Sequence, residues 1–137
     1  MTAGNGCDIG VGSNIELSHT FSQSAVNDFA VLCGDNNPLH TDNEFAKTTM
    51  FGKTIVHGIL VSSLFSTIFG RFLPGSIYVN QALKFRRPVF VGSPVYSKIE
   101  VQAVDIRRKG KLLTCRTCCY NDAREIVIEG EAQVLLP

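Results

Sequence analysis

Apolar residues along the chain recur with two different periods, which separates a mixed first half from a strand-rich second half. Ile15–Phe21 reads as a first strand. Ser22 or Ser24 can then cap a helix running to about Cys33, with Val26, Phe29, Ala30 and Cys33 on one face. Gly34-Asp35-Asn36-Asn37-Pro38 stops that helix, because Gly and Asn favour turns and Pro38 biases Asn37 away from helical backbone. A short helical turn is expected over Asp42–Lys47, capped by Asp42. From about Gly58 to Phe69 the apolar side chains run nearly all round a helix, which predicts that other structure wraps it. Leu73-Pro74-Gly75 supplies the stop.

The rest reads as four strands, near Ser76–Phe85, Pro94–Arg107, Lys111–Asn121 and Glu125–Leu135, separated by turn-forming residues. Arg108-Lys109-Gly110-Lys111 is the expected hairpin tip between two long antiparallel strands. One apolar helix and a long antiparallel sheet give an α+β domain in which the sheet curls around the helix. The length of 137 residues suits a single domain over 1–137, with the Gly-rich residues 1–13 as a flexible N-terminal segment.

Composition narrows the function. Thirteen basic residues against twelve acidic ones leave a formal charge of +1, which argues against a nucleic-acid-binding face. The stretch Ile55–Phe72 is broken by His57, serines, Thr67 and Arg71, so it reads as a core helix and predicts no membrane partner. Five cysteines without a scaffold spacing point to an intracellular reducing compartment, cytoplasm or mitochondrial matrix. Cys115 and Cys118 lie three apart on a predicted strand and face opposite sides, so no metal site is expected there.

The densest polar signal is Gly34-Asp35-Asn36-Asn37-Pro38-Leu39-His40. On an unbroken helix Asp35 and His40 would stand about 140° apart. The Asn-Asn-Pro break lets a turn aim both at one point, where a carboxylate and an imidazole can share a water for general acid–base work.

Phe29 through His40, followed by Phe45-Ala46, resembles the signature of the MaoC-like, hydratase-2 family. Phe51-Gly-Lys-Thr-Ile-Val-His-Gly-Ile-Leu60 resembles that family's lead into its central helix. Leu73-Pro-Gly75 with Tyr78, Gln81, Phe85 and Pro88–Gly92 resembles the strand that follows. The resemblance covers about residues 14–137 and implies a hot-dog fold. It implies reversible hydration of trans-2-enoyl thioesters to (R)-3-hydroxyacyl thioesters, with Asp35 and His40 holding the water. It matches Gly58 to the donor for the thioester oxygen, a role suited to a helix start with free N–H groups. His57 reads as structural, orienting the start of the helix. Ser66 and Asn37 are candidates for orienting substrate or supporting the pair.

No metal or redox cofactor is implied. Coenzyme A or the phosphopantetheine of an acyl carrier protein would arrive as part of the substrate, with Lys84, Arg86 and Arg87 as possible contacts for its phosphates. Members of this size imply a homodimer. Two other readings stay open: a non-catalytic acyl-thioester-binding subunit and a hot-dog thioesterase. The thioesterase reading is weakened by the absence of Asp or Glu between Gly58 and Gly70.

Overall fold

The computed structural model describes residues 9–137. Strand β1 (Asn14–Thr20) leads into α1 (Gln23–Cys33), the short turns α2 (Pro38–Thr41) and α3 (Asn43–Ala46), and the central helix α4 (Gly58–Phe72). Strands β2 (Ile77–Phe85), β3 (Pro94–Arg107), β4 (Gly110–Tyr120) and β5 (Ile126–Leu136) complete the chain. All five strands form one antiparallel sheet in the order β1-β3-β4-β5-β2.

The period-2 pattern explains which face of the sheet turns inward. Cross-strand neighbours Ile99, Thr117 and Gly130, and Ser97, Cys119 and Ile128, lie towards the core. The opposite face carries Glu16 beside Lys98, then Cys118, Glu129 and Lys84, a row of mostly charged partners. Cys115 and Cys118 thus fall on different faces, although both are buried. Arg124 ties the β4–β5 turn to β1 through both Glu16 oxygens, at 2.8 and 2.9 Å. That hydrogen-bonded guanidinium holds the Glu16 carboxyl below its usual range.

Helix α4 buries Val61, Leu64, Phe65, Ile68 and Phe69 against the inner face, the spacing of a helical stripe. It runs three residues beyond the expected Phe69, because Gly70 is tolerated and Leu73-Pro74-Gly75 makes the stop. The helix is not wrapped all round, contrary to expectation. Ile59 is 61% exposed, and Ser63, Ser66 and Gly70 line the same open face.

Helix α1 is capped by Ser22, whose side chain accepts the Ala25 N–H, and it buries Val26 and Ala30. Cys33, expected on that face, is exposed. Helix α2 was unforeseen. Its signal was Asn37 as cap with Pro38 in the first turn, where a missing N–H costs nothing. The expected flexible segment falls partly on residues 1–8, outside the described residues. Of the remainder, Ile9 is buried and Gly12 N–H donates to the Val101 carbonyl at 2.9 Å, so this stretch packs against β3.

Candidate active site

Gly34 closes α1 with φ 83°, a backbone conformation open to glycine, and its N–H caps the Ala30 carbonyl. The chain then turns through Asp35, whose Oδ1 accepts the Asn37 N–H at 3.3 Å. Asn37 Oδ1 accepts the Leu39 N–H at 3.1 Å, starting α2. This single turn swings His40 inward while Asp35 stays exposed.

His40 is held from both ends. Its Nδ1 lies 2.8 Å from the Ile55 carbonyl. A carbonyl only accepts, so Nδ1 carries the proton and neutral His40 keeps its lone pair on Nε2. Its own carbonyl accepts from Gln23 Nε2 at 2.8 Å, and Gln23 Oε1 accepts from Thr54 Oγ1 at 2.8 Å. Gln23 and Thr54 were invisible as functional residues in the sequence, since their partners are distant along the chain.

The ligand atoms of Asp35, His40 and His57 all lie within 4.8 Å of one another. Two groups bonded to one water oxygen at about 2.8 Å each can stand up to roughly 5.6 Å apart. Asp35 and His40 are therefore close enough to share a water. As a metal site the trio is poorly arranged. The His40 and His57 rings stack with centroids 3.9 Å apart and planes 27° from parallel. Their in-plane lone pairs run side by side and do not converge as a tetrahedral ion requires.

Beside His40 opens a cavity of about 550 Å³. Its walls are largely apolar, built from Phe51, Ile55, Ile59, Val61, Phe85 and Ile128. Gly58 lines it at the first residue of α4, and no side chain caps that helix. The first N–H groups of an α-helix lack intrahelical partners and sit at the positive end of its dipole. They can receive an oxygen that gains negative charge.

The remaining candidates separate. Arg86 and Arg87 line the cavity. Arg86 pairs with Glu129 at 2.6 Å and Arg87 with Glu125 at 3.3 Å. Lys84 is not part of that lining, and it sits opposite Glu129 on the outer face of the sheet. Ser66 lies two turns along α4 from Gly58, on the exposed face and outside the lining. Asn37 acts on the backbone, as the cap of α2. His57 is more than a helix start: its Nε2 lies 3.1 Å from the Asp35 carbonyl.

With the pair, the cavity and the uncapped helix in place, comparison with known proteins is decisive. Residues 8–118 match the MaoC like domain. The chain belongs to the MaoC-like family. This MaoC-like chain is 44% identical over 129 residues to an (R)-specific enoyl-CoA hydratase of Aeromonas caviae, covering 93% of this chain and 95% of that protein. It is 41% identical to a mitochondrial 3-hydroxyacyl-[acyl-carrier-protein] dehydratase of Solanum lycopersicum, covering 93% and 77%. The solved structure of an (R)-hydratase from A. caviae involved in PHA biosynthesis superposes with a TM-score of 0.89 at 43% identity, over 95% of this chain and 98% of that one. The α+β hot-dog architecture is shared with it.

Proposed function

We propose that this chain catalyses the reversible addition of water to trans-2-enoyl thioesters, giving (R)-3-hydroxyacyl thioesters. The observation that carries the reading is the pairing of His40 with Asp35: Nδ1–H is committed to the Ile55 carbonyl, and an Asp35 carboxylate oxygen lies within 4.8 Å of a His40 ring nitrogen. A water between the two is activated by hydrogen bonding and attacks C3 of the enoyl group. One water O–H bond breaks, its proton passing to the Asp35–His40 pair, and a C3–O bond forms while the double-bond electrons move to C2 and the thioester oxygen. The pair returns a proton to C2, which completes the addition and restores both groups. The Gly58 N–H faces the thioester oxygen as it gains charge, and the apolar walls receive the acyl chain. The (R) product follows the naming of the relatives.

This chemistry asks for no resident metal or redox cofactor. The carrier arm would leave past Arg86 and Arg87, whose guanidiniums can pair with the phosphates of coenzyme A or of a phosphopantetheine arm. Relatives act on both kinds of thioester, as their names state. The functional unit is a homodimer in this reading, and the compartment a reducing one. No helix is long and apolar enough to cross a membrane among the described residues.

Loss of enoyl-thioester absorbance on adding protein to crotonyl-CoA tests the assignment. The wild type is expected to consume it and release the (R)-3-hydroxy product. Asp35→Asn is expected to lower kcat by roughly 10²–10⁴, the range for a general acid–base group. No turnover with CoA-borne or pantetheine-borne enoyl thioesters would leave only acyl-thioester binding.

A further inference from the structure

His57 is buried to 2% exposure, yet it is a polar ring whose second nitrogen has no partner. Core packing alone would be better served by an apolar ring, because a buried polar atom without a hydrogen bond carries a desolvation cost. What the imidazole provides is one donor. Its Nε2–H donates to the backbone carbonyl of Asp35 at 3.1 Å, across 22 residues of sequence. With Nε2 protonated, the buried Nδ1 is a bare lone pair, since an N–H there would have no acceptor.

The same ring touches the other half of the pair. It stacks on His40 at 3.9 Å between centroids, and Phe29 meets it edge-on at 4.9 Å. Packed against both rings and bonded at Nε2, the buried imidazole is held in place. It is also the residue that precedes Gly58, so its backbone sets the start of α4. Three features meet at this one residue: through its side chain the height of the Asp35 turn and the plane of the His40 ring, and through its backbone the start of α4 at Gly58.

We propose that His57 is a positioning residue that couples Asp35 to His40, its N–H fixing the Asp35 turn while its ring fixes the imidazole of the base. The proposal rests on the hydration reading above. It differs from a role in helix orientation alone, because it makes the contribution of His57 depend on the carboxylate it positions. Groups that act as a unit lose catalysis non-additively when removed together.

The test is a double-variant cycle with steady-state kinetics, on whichever enoyl thioester the wild type hydrates. His57→Phe keeps a stacking ring and deletes the donor. It is expected to lower kcat about 10- to 100-fold with little change in KM, part of the range a misplaced general base can cost. In the Asp35→Asn background the same change is expected to cost nothing further. His57→Gln, which restores an N–H within reach of the carbonyl, is expected to recover part of kcat, and it carries the same cycle should the Phe variant melt early. Losses that multiply across the cycle, or an effect on KM alone, would overturn this role while leaving the hydration reading standing. A wild type that turns over no enoyl thioester overturns both.

Discussion

Glycine at position 58 makes room for Phe85, and in the proposed reaction it also lets a carbonyl approach the first N–H of α4. A Cβ at Gly58 would stand 2.6 Å from Phe85 Cε1 and 2.7 Å from Cδ1, well inside contact distance. The ring is half exposed at the end of β2, so it can swing away at modest cost. Gly58→Ala is therefore expected to fold, with a melting temperature within a few degrees of wild type, and to lower kcat/KM. The loss is expected to be on the order of tenfold or more, bounded by the roughly 10²–10³ lost when one oxyanion donor is removed. Adding Phe85→Leu should return stability and not rate; recovery of both would mean that Gly58 matters only as space. The Asp35–His40 motif was legible in the sequence because its geometry is local: an Asx turn, a cap and a proline within a few residues. The roles of Gln23, Thr54 and His57 were not, because their partners lie 17 to 31 residues away. Lys84, Arg86 and Arg87 group at the strand that the family resemblance places near the carrier arm. The sheet sends Lys84 to its outer face; Arg86 and Arg87 line the cavity, although the Arg86 guanidinium pairs with Glu129 of that outer face.

At the level of elements, the turn residues that separate them place every strand to within a residue or two of where it lies. Helix α4 was foreseen in place and kind, and its open face was not. The pattern counts apolar side chains, whereas coverage depends on what the rest of the chain can reach. Close strand contacts were equally hidden. Gly130, on the inner face of β5, pairs with Leu83, and a Cβ there would run into the Ala82 carbonyl oxygen. That obstacle is backbone and cannot swing aside. Gly130→Ala is expected to pry β2 from β5 and to destabilise the fold by about 1–3 kcal/mol, the usual cost of overpacking a well-packed interior. Urea denaturation followed by circular dichroism measures it. An unchanged midpoint would show that the two strands separate without penalty.

For the molecule as a whole, the question is what covers β2. It is an edge strand of the sheet, and among the described residues no strand pairs with its outer side. Ile77 and Val79 are about half exposed on it, and Ile59 is 61% exposed on the neighbouring open face of α4. Proteins blunt free edges with charge, proline or cover, and the Ile77–Val79 stretch of this edge carries no charge. A second copy, pairing edge to edge about a twofold axis, would continue the sheet and remove both exposed strips at once. The proposed homodimer meets that need, and it would bring the edge that ends in Phe85, a wall of the cavity, into the interface. Sedimentation equilibrium at micromolar concentration is expected to return twice the chain mass. Val79→Lys, placing a charge on the edge, is expected to shift the protein to monomer and to lower turnover with it. Ile106→Lys is the matched control, because Ile106 is 77% exposed near the β3–β4 hairpin, away from that edge. A wild type that sediments as a monomer at full activity would rule the dimer out. A monomeric Val79→Lys variant with unchanged turnover would show instead that each chain completes its own site.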